Sequence, residues 1–258
     1  MPWVESASRS FRARHDAAAR DDVERVLHSL ELARRQLAEY FPATVEGLTV
    51  VLHRSTLSLS LASPVVPVAW LMTAPAARRY VAGWAGNHEL HVLEPAALQQ
   101  RASSVPGSRE MLARTASALY ARRVIAESNA DLPRRAGPAR WGAEVRWAWL
   151  LEGTARWFSG QTEHARAAIA RRLHDGGAPS FPPGVRDALL LGGTVVDLLA
   201  REQGGQRAAE LACGLDPRGP RAALARAFDG RPLSQTEQAW RSHLRRLARG
   251  ASSSQQAG

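Results

Sequence analysis

Lysine is absent from this chain: all 34 residues of its lysine-plus-arginine count are arginine. That excludes a P-loop lysine, the phosphate-binding lysine of protein kinases and every Schiff-base mechanism. Cysteine occurs once, as Cys213, so no internal disulfide framework and no thiolate cluster for zinc or iron–sulfur can form. Cys213 lies on an AAELACGL face with Leu211 and Leu215, the setting of a small core residue. Acid is scarce beside base, 24 against 34, giving a formal net charge of +10. The excess is spread along the chain: residues 1–130 hold 15 Arg against 12 Asp+Glu, and residues 131–258 hold 19 against 12. No dense basic run, zinc-finger spacing, RNP signature or GxxG clamp accompanies it. Arginine stands here where other chains use lysine, and nucleic acid is not the expected partner.

Uninterrupted hydrophobic runs are also missing. Residues 1–15 lack the apolar core of a secretory signal, which leaves a cytoplasmic location as the expectation. Between Arg54 and Arg78 lie 23 residues without a charge, but Pro64, Pro67, Pro75 and four serines interrupt them. The segment therefore reads as buried loop and strand, and no membrane span is expected.

What the sequence does contain is an ordinary globular mix, 45% hydrophobic and 22% charged, long enough to bury its own core. Phe11 to His15 reads as a short strand. Ala17 to Tyr40 is an amphipathic helix, with Val23, Val26, Leu27, Leu30, Leu37 and Tyr40 recurring at helical spacing. Thr49 to His53 is a β-branched strand. Val81 to Ala85 and His88 to Leu93 flank Gly86-Asn87, a tight-turn pair. After a short helix from Pro95 to Ala102, all further signals are helical: Ser108 to Ala126, then Trp147 to Gln161 beyond an Arg/Pro/Gly-rich loop from Asn129 to Gly142. A proline-rich connector, Gly176 to Gly184, precedes helices at Val185–Gln203, Gln206–Leu215, Pro220–Phe228 and Ser234–Ala248. The predicted class is α+β: a small mixed β-sheet packed by a long helix in residues 1–107, an all-helical lobe in 108–248, and a disordered tail in 249–258.

Few motifs carry chemistry. NHELH, Asn87 to His91, lacks the i, i+4 histidine spacing that puts two zinc ligands on one helix face. There is no GxSxG, and Ser159-Gly160 reads as a helix stop. Gly192-Gly193 falls inside a helical pattern without the strand and loop of a phosphate cradle, so close helix packing is its expected use. The informative segment is RWAWLLEGTARWFSG. Glu152 stands there among Trp147, Trp149, Leu150, Leu151, Trp157 and Phe158, and a carboxylate on so apolar a helix needs a partner. Arg156, one turn on, is the nearest.

The element order together with WLLEGTARWFSGQ resembles the gluzincin-type, peptidase MA-like family of zinc metallopeptidases, over about residues 9–248. The resemblance implies a zincin-like fold, a helix carrying HExxH with two zinc ligands and a general base, and Glu152 as the third ligand. The helix that should carry HExxH reads REMLARTASALYARRVIAES, which sets Ala116, Ser117 and Tyr120 at the motif's positions. No histidine lies between His91 and His164, and no His pair at i, i+4 exists in the chain. One carboxylate does not hold zinc, so the expectation is a metal-free, non-catalytic relative, a pseudopeptidase that binds peptide or protein or serves a structural role. Tyr120, Ser117, Arg114 or Arg122 would then meet Glu152 in place of the metal. A second reading is a hydrolase relocated onto Glu152 with His88 or His91 and with Tyr120, any metal being held by His88, His91 and Glu152. A third is an arginine-rich binder of nucleic acid or an anionic surface.

Overall fold

The computed structural model describes residues 3–135 and 137–256. Strand β1 (Trp3–Ala7) turns back on β2 (Phe11–Asp16), whose alternate residues Phe11, Ala13 and His15 are buried. Helix α1 (Arg20–Ala38) follows a short 3-10 turn and buries Val23, Leu27, Leu30 and Leu37, the stripe its periodicity predicts. It crosses from β2 to β3 (Leu48–His53), which runs parallel to β2 as a connection of that length requires.

The next segment departs from expectation. It forms two short helices, α2 (Thr56–Ala62) and α3 (Val65–Met72), not buried loop and strand. The residues read as breakers are start signals. Ser55 caps α2 in a reciprocal capping box with Ser58, and Pro64 stands just before the first turn of α3. Pro67 sits in the first turn of α3, where its missing N–H costs no intrahelical bond. Strands β4 (Gly83–Ala85) and β5 (Glu89–Leu93) then complete a five-stranded mixed sheet in the order β1-β2-β3-β5-β4. The inner three strands are parallel, and both edges are antiparallel to their neighbours.

Beyond α4 (Pro95–Arg101) the chain is largely helical. The single helix expected over Ser108–Ala126 is two, α5 (Ser108–Ala113) and α6 (Thr115–Ser128). At the break the Thr115 hydroxyl donates to the Leu112 carbonyl at 2.6 Å, a local bond that competes with the helical ladder. Helix α7 (Pro138–Arg146) begins inside the expected loop, with proline at its first turn. Then come α8 (Ala148–Phe158), α9 (Gln161–His164) and α10 (Arg166–Asp175). Gly160 takes a φ of +75° immediately after α8, so WFSG is the helix stop it resembles. Helix α11 (Val185–Gln203) matches its predicted span and packs along α8. Last are α12 (Gly205–Ala212), α13 (Pro220–Ala227) and α14 (Leu233–Gln256). Helix α14 carries the backbone of 249–256, where the composition predicts a disordered tail; residues 257 and 258 lie outside the described residues. A helix already nucleated upstream propagates through Ala and Gln at little cost.

One buried cluster runs from Phe11 in the sheet through Leu119, Leu151 and Leu191 to Leu244. No described helix is long and apolar enough to cross a membrane. At the far end of α11, Asp197 accepts from His243 at 2.9 Å and Arg201 at 2.8 Å. Burial would raise this carboxyl; the two donors and their charge outweigh it and hold it at about 2.

Candidate functional site

Helices α6 and α8 pack against each other, and a cleft opens beside their junction. Its walls come from α3, β4, α6, α7, α8 and the start of α11. Its volume is about 150 Å³, room for one aromatic or aliphatic side chain rather than a large cofactor. The walls are mostly apolar, with Met72, Trp84, Leu119, Trp141, Leu151 and Leu189 among them.

An alternating chain of charges crosses the cleft. Arg140 Nε lies 2.7 Å from Glu144 Oε1, and Arg122 Nη2 lies 3.3 Å from the same oxygen. Arg122 Nε donates to Glu152 Oε1 at 3.1 Å, and Arg156 Nη2 lies 3.4 Å from Glu152 Oε2. Arg156 Nη1 then donates to Gln161 Oε1 at 2.5 Å, and the Gln161 amide donates to the Met111 carbonyl. Three arginines thus flank two glutamates, and the set keeps one positive charge. Burial pushes the Arg156 guanidinium down, and the charge and hydrogen bond of Glu152 oppose that. Arg156 Nε is buried with no partner among the described residues.

Of the residues expected at or beside the vestigial site, Glu152 and Arg122 are in this cleft. The Glu152 side chain is 32% exposed, and the arginine contact expected of it is present, through Arg122 and Arg156. The tyrosine contact is not. Tyr120 is fully buried and donates to the Val45 carbonyl at 3.0 Å, its ring edge-on to Phe11. Burial pushes its phenol up to about 12. Ala116 is buried core and Ser117 half-buried, and neither lines the cleft. Arg114 reaches the Ser159 carbonyl instead. The α6 residues that line the cleft are Leu119, Arg122, Arg123 and Ala126. Arg140 and Glu144 were missed because α7 was read as loop, although they stand at i, i+4 just after a Pro-Ala start.

The second edge of the cleft is a strand. Leu93 N–H donates to the Ala82 carbonyl and Gly86 N–H to the Glu89 carbonyl. Antiparallel alternation then pairs Trp84 with His91 and turns the backbone groups of Gly83 and Ala85 outward, away from β5. Both residues line the cleft, and neither N–H has a partner outside the sheet among the described residues.

The alternative metal set is not assembled. His88 is exposed in the turn before β5, and His91 is held by Glu89 at 3.2 Å and by His53 at 3.1 Å. No group of three candidate ligands gathers among the described residues. The His53–His91 contact was not foreseen, since it depends on the β3–β5 register, which pairs His53 with Leu93 and Val51 with His91.

The histidine pair makes a pH prediction. Burial first, and the charge of His91 second, push the His53 imidazole from 6.5 down to about 4. The unfolded chain then binds more protons than the fold between those values, so stability rises with pH across that window. Its contribution is complete above pH 6.5 and lost as pH falls toward 4. Allowing for partial solvent screening, the loss is about 2 kcal/mol. Urea unfolding at pH 7 and pH 4.5 should show that loss, and His53→Leu should remove most of the difference; an unchanged pH slope in the variant would reject it.

No protein-family model matches this sequence, and no curated protein is similar to it.

Proposed function

We propose that this chain is a metal-free protein of metallopeptidase-like architecture whose cleft holds an extended peptide without cleaving it. The observation that carries this reading is the meeting of Glu152 with Arg122 beside an unpaired strand edge. In the resembling peptidases the WLxEG glutamate reaches a metal held by the preceding helix. Here a guanidinium from that helix supplies the cation. The i, i+4 pair ending at the contact is Ala118 and Arg122, with Leu119 where a general base would stand. With neither histidine nor base there, no water is activated for attack.

A peptide would add to β4 through the outward groups of Gly83 and Ala85, placing one apolar side chain in the cleft. The spare positive charge of the arginine chain favours a carboxylate on that peptide. Selection of binders from a random peptide library with the intact chain should enrich apolar residues next to an acid. Ala85→Pro removes an outward N–H but no ladder bond, and should weaken the selected peptides about tenfold, the value of one hydrogen bond. Binding indifferent to Ala85→Pro would sink strand addition. The architectural half is tested by restoring ligands: Ala118→His with Arg122→His should let Glu152 complete a one-equivalent zinc site, and a folded double variant that takes up no zinc would reject the relationship.

A further inference from the structure

The two-helix segment α2–α3, which the sequence suggested would be buried, carries most of the exposed large hydrophobic residues among those described. Leu57 is 70% exposed, Leu61 78% and Leu71 66%, with Val68 and Trp70 beside them; outside this segment only Leu32 and Trp141 are comparable. Leu57 and Leu61 are one turn apart on α2, and Val68 and Leu71 one turn apart on α3, so each helix presents an apolar stripe. Such a patch on a chain this rich in charge marks an interaction surface.

The surroundings say what covers it. No acid occurs anywhere from Gly47 to His88. The acids that bound that stretch are already in ion pairs, Glu46 with Arg34 and Glu89 with Arg14. Arginines rim the patch. Arg78 stacks over the Trp70 ring with its guanidinium carbon 4.6 Å from the centroid. Arg101 donates to the Thr56 hydroxyl at the start of α2. Immediately after α3, Ala74 to Ala76 form one side of a second cavity of about 420 Å³. Four arginines line it: Arg79, Arg171, Arg172 and Arg186. Asp187 holds Arg172 and Asp175 holds Arg171, whereas Arg79 and Arg186 have no carboxylate partner among the described residues.

We propose that the α2–α3 segment docks this protein on an anionic bilayer surface, its leucines in the acyl boundary and the Arg79–Arg186 cavity holding lipid phosphates. Leucine and tryptophan on short helices flanked by arginine are the composition of an interfacial anchor. Protein hot spots draw instead on aromatic and arginine anchors in pockets and use leucine little. A cavity with unneutralised arginines beside the apolar face supplies the phosphate contact that an apolar protein partner would leave unused. The inference is independent of the peptide reading, since neither Leu57, Leu61 nor Leu71 lines the α6–α8 cleft.

Co-sedimentation of the full chain with vesicles tests it. Vesicles of phosphatidylcholine with about a third phosphatidylserine should bind the chain at least tenfold more tightly than phosphatidylcholine alone, less so at high salt. Leu57→Ser/Leu61→Ser/Leu71→Ser should lose at least tenfold on the anionic vesicles. Arg79→Gln/Arg186→Gln should lose the preference for anionic lipid. The three leucines and Arg186 are exposed and Arg79 is half-buried, and unchanged melting curves certify both folds. No binding to anionic vesicles, or a serine variant that binds as the parent does, overturns the proposal. So does full displacement by millimolar inorganic phosphate, which would make the cavity a site for the free ion. A parent that elutes as a dimer, with the serine variant a monomer and neither bound to lipid, would assign the patch to a second copy and also overturn it.

Discussion

Gly192→Ala should cost about 3 kcal/mol or more, enough to unfold a large fraction of a protein of ordinary stability. The expectation runs against helix propensity, which favours alanine over glycine by about 1 kcal/mol inside a helix. Packing decides the sign. A methyl group on Gly192 would sit 2.5 Å from the Trp149 carbonyl oxygen and 3.0 Å from the Gly153 Cα. One on Gly153 would meet the Gly192 carbonyl carbon at 2.3 Å. Those are backbone atoms of two helices in direct contact, and no rotamer change relieves them. To admit the methyl, α8 and α11 must separate, and α8 carries Glu152 and Arg156. Gly142→Ala is the control, since nothing lies within 4 Å of a methyl there, and it should be neutral or slightly stabilising. Denaturant midpoints of the three proteins decide it: a Gly192→Ala midpoint equal to that of Gly142→Ala would mean the two helices are not in backbone contact.

What could be read in advance follows from which forces are local. Helix α1 was visible because a helix that buries one face writes its period into the sequence. Strand β3 was visible because its apolar, β-branched run needs no partner to be recognised. The glycine pair on α11 was read correctly as close packing, since the alternative needed a strand and loop that are not there. Helices α2 and α3 are hidden in the sequence because serine and proline look like interruptions, when Ser55, Pro64 and Pro67 occupy positions at helix starts that suit them. Leu59 and Val66 are buried, but Leu57, Leu61, Val68 and Leu71 face outward, so the inference from hydrophobic to buried failed for most of the segment's large apolar residues. At the site, Glu152 announced itself as a carboxylate on an apolar helix. Its contact with Arg122 was among those expected, although pattern alone could not choose Arg122 over Tyr120, Ser117 or Arg114. The pairing of His53 with His91 and the span from α7 to α6 are tertiary facts, fixed by strand register and helix packing between residues far apart in the chain.

The ion chain of the cleft gives the second large effect. Glu152→Ala should destabilise by about 3 kcal/mol, more than its partial exposure alone suggests. The reason is Arg156, whose side chain is only 8% exposed and whose carboxylate contact is Glu152. Without that carboxylate a buried guanidinium keeps only the neutral amide oxygen of Gln161. Arg122 would be affected less, because Glu144 still reaches it at 3.3 Å. Glu152→Gln retains an acceptor but not the charge, and should cost about 1–2 kcal/mol. The penalty belongs to the stranded cation, not to the lost contact, so removing both members should restore most of it: Glu152→Leu with Arg156→Met should lie within about 1 kcal/mol of the parent. An exposed pair at i, i+4 would behave otherwise, each change costing under about 1 kcal/mol and the double variant matching their sum. Urea unfolding of the parent, Glu152→Leu, Arg156→Met and the double variant separates the two cases. Additive, sub-kilocalorie losses would show that Glu152 is a surface carboxylate of no special standing, and the cleft would lose the charge that links its two helices.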